Sequence, residues 1–354
     1  MANFNIISPD WHENIIELVQ EDNLSLSDEG FCFGGATSAS FAFLRGIKSR
    51  DAFIESVNAS DHMTPEKMKE TEALLQRELR INIQIPLEEM WQSKLNEAKS
   101  QKSNLSPIEE KMLRQVFERS SAIVQFRKKA HEEIMTNPDI RQYMDTKALL
   151  QNIVVNFNAS KLPDILQIET KETNTRGQQN VMEVEKTLQS ITGDPAQVQK
   201  NTMVVASSSC LPYTKDGVEA RISQFISQCD TLQVPLALSL GGNNHAISCS
   251  YDPIEKQWLL FDMNQQPYLG NTTPTMVSEF IWSGLVTNLV DESDDEHTFL
   301  ALYTQTITSE FHANEVQDYH SEAARTLEAS DFTGIPQRTM NTCLINATNY
   351  ESMD

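Results

Sequence analysis

Three short apolar segments between residues 232 and 262 constrain the fold of this chain more than any other feature. The segments are LQVPLALSL (232–240), HAISCSY (245–251) and QWLLF (257–261). Gly241–Gly242–Asn243–Asn244 is a strong turn signal between the first two, and Asp252–Pro253 opens the next turn. Short strands with tight connections pair as neighbours, so this region predicts an antiparallel meander.

The ends of two of these strands carry residues that can do chemistry together. His245 begins the second strand, and Asp262 ends the third. In adjacent antiparallel strands, the start of one strand and the end of the next lie at the same edge of the sheet. We therefore expect an imidazole–carboxylate pair, in which Asp262 fixes the tautomer and orientation of the His245 ring. Taken singly, each residue would be explained as an ordinary turn residue.

A cysteine far upstream is a candidate nucleophile for this pair. Cys32 lies in EGFCFGGATSASFAFLR (29–45), among glycines and other small residues. These residues allow close backbone packing and indicate a tight turn that leads into a buried helix. A thiol in the first turn of a helix lies at the positive end of the helix dipole, which lowers the pKa of the thiol. Cys249 is a rival nucleophile on the same strand face as His245, although burial in a strand explains it more simply.

Charge and composition exclude several classes of function. The 354 residues carry a net charge of −22, which disfavours nucleic acid or an anionic membrane as the main partner. No apolar run is long enough to span a bilayer, and the first residues lack a classical signal peptide. The five cysteines are scattered and the seven histidines have no metal-binding spacing, so we expect no disulfide framework, no metal and no cofactor.

A long region after the cysteine has the composition of helices. It is rich in Glu, Lys, Gln, Leu and Met, and capping residues precede prolines at Thr64–Pro65, Ser106–Pro107 and Asn137–Pro138. We expect three to five helices, with Pro86 separating two of them. Helical spacing predicts one buried face made of Ile108, Met112, Val116, Ile123 and Phe126. The segment IVVNF (153–157) is interpreted as a short strand.

These patterns predict an α+β fold in four parts. Residues 1–63 carry the nucleophile helix, 64–155 form a helical insertion, 156–310 supply the rest of the core with the antiparallel sheet, and 311–354 form a polar, flexible tail. Outside the meander, the sequence predicts a loop at 58–63, an exposed linker at 169–180, helices at 181–191, 217–229 and 275–286, and strands at 203–206 and 298–307.

The motifs resemble those of the YopT-type group of papain-like cysteine proteases, which are bacterial effectors delivered into host cells. The resemblance rests on Gly30-x-Cys32 before a small-residue helix, on Asn244–His245–Ala246, and on Phe261–Asp262–x–Asn264. Met263 stands where that family usually has proline, and Gln265–Gln266 where it tends to have a glycine nearby. The separation of Cys32 and His245 is long for a papain-like enzyme, and the helical insertion accounts for the excess.

The resemblance implies a papain-like fold with a Cys–His–Asp triad. Cys32 would be the nucleophile, His245 the general base and then acid, and Asp262 the residue that orients the ring. The backbone N–H of Cys32 would be one oxyanion donor. Asn23 is the only nearby side-chain amide for a second donor, and it lies further upstream than expected.

The expected function is a thiol protease that acts on a host protein after translocation into the host cytoplasm, as a virulence effector. The same triad supports glutamine deamidation or transamidation. The residues do not indicate whether water or an amine accepts the acyl group. An alternative of a different class is an inactive papain-like scaffold whose helical insertion binds a partner.

Overall fold

The structure, a computed structural model, describes residues 11–21, 31–102, 105–158, 202–242, 245–286 and 300–316. The predictions for Asn23, for residues 169–180 and 181–191, and for the tail after residue 316 lie outside these ranges. The described part is a mixed α+β chain with one antiparallel sheet of six strands. In the same ranges, no helix is long and apolar enough to cross a membrane.

The helices and strands follow one another in a simple order. In chain order the elements are α1 (Trp11–Glu21), α2 (Phe31–Leu44), α3 (Ile47–Ser60), α4 (Pro65–Leu79), a π-helical segment (Arg80–Gln84), α5 (Ile85–Gln101), α6 (Pro107–Glu118), α7 (Ser121–Ile134), α8 (Pro138–Asn158), β1 (Met203–Tyr213), α9 (Lys215–Leu232), β2 (Leu236–Gly241), β3 (Ala246–Asp252), β4 (Gln257–Asp262), β5 (Gln265–Gly270), α10 (Pro274–Val286), β6 (Leu300–Ser309) and a 3₁₀ turn (Glu310–His312). Two compact units contain them: the sheet unit, residues 1–57 with 149–354, and the helical unit, residues 58–148.

The sheet has the strand order β1–β6–β2–β3–β4–β5, and each neighbouring pair is antiparallel. The predicted meander of β2, β3 and β4 is confirmed. The sequence interpretation missed β5, which contains Pro267. Proline has no N–H for a ladder hydrogen bond, but β5 ends the described sheet, where one side of a strand needs no partner.

The two faces of the sheet pack against different helices. Alternate residues of the central strands, such as Leu238, Cys249 and Leu260, lie in a core with α9 and α10. On the opposite face, Ala237 packs with Phe41 of α2. Successive side chains along each strand therefore point alternately into the large apolar core and toward α2.

Helix α2 approaches the sheet closely because its side chains are small. Ser40 and Ser248 of β3 share a buried hydrogen bond of 2.8 Å between their Oγ atoms. A Cβ atom at Gly35 would lie 2.5 Å from Met263 Sδ and 3.1 Å from Phe261 Cε1. No side chain larger than hydrogen fits at Gly35 without moving its neighbours.

Two further segments differ from the sequence interpretation. The strand predicted at 153–157 is wrong, because these residues form the end of α8. A short apolar run has no periodicity that separates a strand from a buried helix. Likewise α3 extends to Ser60, into the loop predicted at 58–63. Its Phe53 packs edge-on against Phe261 of β4, with ring centroids 5.2 Å apart.

The helical unit contains four complete helices, α4 to α7, in the part of the chain that the structure describes. Their capping signals act as predicted. Thr64 Oγ1 accepts the Lys67 N–H at 3.2 Å, and Ser106 forms a capping box with Glu109. As predicted, Pro86 lies in the first turn of a second helix, α5, but no loop precedes it, because a π-helical segment joins α4 to α5. The π-helical turn immediately before the proline widens the backbone where the ring would otherwise crowd the preceding turn.

The predicted buried face of the insertion is wrong over α6. Ile108, Met112 and Val116 are 72%, 61% and 69% exposed, whereas Ile123 on α7 is only 4% exposed. A new helix begins at Ser121, so the spacing does not continue along one helix. Trp91 instead contacts Phe117, with ring centroids 5.6 Å apart, and that contact joins α5 to α6.

The close packing at Gly35 gives a first prediction. Gly35→Ala should lower the free energy of unfolding in a urea titration by about 1–3 kcal/mol, as overpacking does. The alanine would otherwise favour the helix by about 1 kcal/mol. Because the clash is with Met263, the cost should shrink in a Met263→Ala background. An equal cost in both backgrounds would contradict the close contact.

The exposure of α6 gives a second prediction. Ile108→Thr should change the free energy of unfolding by less than about 0.5 kcal/mol, because the side chain is already in water. Ile123→Thr is the matched control at a buried position and should cost about 1–3 kcal/mol. Similar costs for the two variants would show that α6 is covered.

Candidate active site

The antiparallel pairing of β3 with β4 places His245 beside Asp262. Ser248 lies opposite Phe261, and continuing this register puts Ile247 opposite Asp262. His245 precedes Ile247 by two residues, immediately before β3 begins at Ala246, and therefore belongs to the same face. His245 Nε2 lies 2.8 Å from Asp262 Oδ1, and the two side chains are 4% and 1% exposed.

The Asp262 carboxylate has further donors in the turn between β4 and β5. Its Oδ1 atom also accepts the backbone N–H of Asn264 at 2.9 Å. The Gln265 Nε2 atom lies 3.5 Å from Oδ2. A buried carboxylate is costly unless donors surround it, and this turn supplies them locally. Asn264 therefore shapes the turn through its backbone.

Helix α2 brings Cys32 to the same histidine. The helix begins at Phe31, so Cys32 lies in its first turn, as the glycine-flanked stretch predicts. The half-buried Cys32 side chain forms a hydrogen bond with the His245 ring. Because Nε2 is used by Asp262, Nδ1 is the ring nitrogen left for the thiol. The fold thus joins the three predicted triad residues through one imidazole.

The two partners determine the protonation of His245. Burial by itself lowers the pKa of the imidazolium, but the hydrogen bonds and the electrostatic attraction of Asp262 and Cys32 outweigh it. The pKa of His245 is raised from 6.5 to about 10. At neutral pH the ring therefore carries its proton, which is the state that stabilises a thiolate beside it.

Two other cysteines in the described ranges, Cys249 and Cys229, lie in a different environment. Cys249 is fully buried in the core with α9 and α10, and burial raises the pKa of its thiol well above the ordinary value. Cys229 is buried in the same core, and its thiol pKa is raised for the same reason. Such thiols are poor nucleophiles, because the thiolate is the reactive form. Cys249 is therefore a packing residue.

One neighbour of the site was missed in the sequence interpretation. Gly284 of α10 lies against the Asp262 carboxylate and against Ile247. A glycine inside an otherwise apolar helix is unfavourable for the helix, and that was the available signal. The partner of such a glycine cannot be read from the local pattern. No group of three or more His, Cys, Asp and Glu side chains that could hold a metal ion occurs in the described ranges.

Comparisons of the chain with protein-family models, with curated proteins and with solved structures found no match. A thiol at a helix start, a protonated imidazole and a buried carboxylate can together carry out acyl transfer through a covalent thioester.

The hydrogen-bonded histidine gives a third prediction. In an NMR titration of the histidine rings, His245 should lose its proton near pH 10. Asp262→Asn should lower this pKa more than Cys32→Ala does, because the hydrogen bond of Asp262 contributes more than that of Cys32. An unchanged titration in Asp262→Asn would contradict the pairing.

The same shift sets the pH dependence of stability. Because the folded pKa is raised above the unfolded value of 6.5, the interaction stabilises the fold fully below that pH. Its contribution should be lost as the pH rises through about 10. In Asp262→Asn, the unfolding midpoint should fall less steeply as the pH rises through this range. A decline caused by other titrating groups would be the same in the wild-type protein and in the variant.

Proposed function

We propose that this protein is a papain-like cysteine protease, a bacterial effector that is translocated into the host cytoplasm and cleaves a host protein. The observation that carries the proposal is the His245 ring, which binds the Cys32 thiol on one side and the buried Asp262 carboxylate on the other. A nucleophile helix early in the chain and a later antiparallel sheet also fit a papain-like core. The net charge of −22 favours a protein substrate over nucleic acid.

The geometry supports a two-step reaction. Cys32 Sγ attacks the carbonyl carbon of the scissile amide, and the carbonyl electron pair moves to oxygen. The backbone N–H of Cys32 is one donor for this oxyanion. As the C–N bond breaks, His245 gives its proton to the leaving amine and a thioester remains. His245 then removes a proton from water, which attacks the thioester and releases the carboxylic acid and the Cys32 thiolate.

Asp262 acts on this reaction through the ring. Its bond to Nε2 aims Nδ1 at the sulfur and stabilises the imidazolium. The same thioester forms if the attacked group is a glutamine side chain, in which case ammonia leaves. The mass of the reaction product therefore distinguishes deamidation and transamidation from proteolysis.

The fourth prediction concerns the reactivity of the thiols. At mildly acidic pH, iodoacetamide should alkylate Cys32 much faster than Cys249, which is fully buried, or Cys210, which is half-buried. Peptide mass spectrometry measures the three rates in one sample. His245→Ala should abolish the preference for Cys32 over Cys210, since the imidazolium is lost, whereas Cys249 stays slow because it is buried. Equal rates in the wild-type protein would contradict an activated nucleophile.

The reaction itself is tested with a host-cell extract. Wild-type protein and Cys32→Ala are incubated with the extract, and product masses are compared. Fragments that depend on Cys32 support proteolysis, and His245→Ala should slow their release by about 10²–10⁴-fold. An intact, slightly heavier substrate indicates deamidation and would replace the protease assignment. Identical products with Cys32→Ala would contradict the proposed function.

A further inference from the structure

The Asp262 carboxylate has a neighbour on the side of Oδ2. A Cβ atom at Gly284 of α10 would lie 2.9 Å from Asp262 Oδ2 and 3.6 Å from Ile247 Cγ2. A methyl group cannot sit so close to an oxygen atom without displacing it. Only glycine therefore lets α10 lie directly behind the carboxylate.

The Asp262 carboxylate is buried and is held by contacts on both of its oxygen atoms. Asp262 is buried, and its Oδ1 atom is held by His245 at 2.8 Å and by the Asn264 N–H at 2.9 Å. The Oδ2 atom has a longer contact of 3.5 Å with Gln265 Nε2. On the Oδ2 side, the orientation of the carboxylate is thus limited mainly by packing against the backbone of α10.

We propose that Gly284 is a positioning residue for the triad, because its missing side chain allows α10 to hold the Asp262 carboxylate with Oδ1 aimed at the His245 ring. A larger residue would push Oδ2 away and turn or shift Oδ1. The bond to Nε2 would lengthen, and the imidazolium would lose its strongest support. This inference rests on the proposed function only where it assigns a catalytic role to the three residues.

A role in helix packing alone makes a different prediction. Gly284 also lies near Ile247, so a substitution could simply loosen α10 from the sheet. Loosening would lower the unfolding midpoint but would leave His245 paired with Asp262. The titration of His245 therefore separates a positioning role from a merely structural one.

The fifth prediction tests this directly in the full chain. In Gly284→Ala, the pKa of His245 measured by NMR should fall by about one unit, a tenfold loss of proton affinity. Alkylation of Cys32 by iodoacetamide at mildly acidic pH should slow in parallel. Ser283→Ala is the control, because this exposed neighbour also gains helix propensity without approaching the carboxylate and loses the bond from its hydroxyl to the Phe280 carbonyl. An unchanged titration in Gly284→Ala, or an equal shift in Ser283→Ala, would overturn the proposal.

A double-mutant cycle covers the case in which Gly284→Ala folds poorly. Asp262→Ala removes the atom that the new methyl group meets, so Gly284→Ala should then cost little stability and leave the His245 titration of Asp262→Ala unchanged. An equal cost of Gly284→Ala in the wild-type and Asp262→Ala backgrounds would overturn the proposal. The titration needs no substrate. The Gly284 proposal can therefore fail or succeed whether or not the protein proves to be a protease.

Discussion

The close approach of α2 to the sheet is the constraint on which the rest of the site depends. Glycine, alanine and serine on the helix bring its backbone near the strands, and Ser40 satisfies its hydroxyl on Ser248. A helix with ordinary apolar side chains would lie several ångströms further out. Cys32 would then be carried away from His245. The small residues that look like packing details thus set the position of the Cys32 sulfur.

Strand register adds a second, independent constraint. The pairing of β3 with β4 puts His245 and Asp262 on one face, and a shift by one residue would send one of them to the opposite face. Both faces of β3 and β4 are buried, and a slipped register would exchange the large side chains that face α9 and α10 for the small ones that face α2. The energy that positions the triad therefore comes largely from apolar packing far from the reactive atoms.

Local patterns predicted the meander, the His245–Asp262 pair and a helix start at Cys32, because turns and alternation are encoded within a few residues. These patterns failed where the structure of a segment depends on which other helices or strands pack against it. The 153–157 segment is apolar in either state, and Pro267 marks an edge strand that only the sheet order reveals. The spacing of Ile108, Met112 and Val116 measures amphipathicity and does not say what lies against it. Gly284 lies against the Asp262 carboxylate, and no local pattern in either segment indicates that contact.

The raised pKa of His245 poses a problem for the proposed chemistry, because a proton held so firmly is hard to give to a leaving group. The contacts suggest its solution. Cys32 contributes to the raised pKa through its hydrogen bond and its charge. Once the sulfur has bonded to the carbonyl carbon, that charge is gone and only Asp262 still supports the imidazolium. The ring then becomes a stronger acid at the step that needs one. The attack itself thus prepares the proton transfer that follows, and Asp262 keeps the ring aligned through both steps.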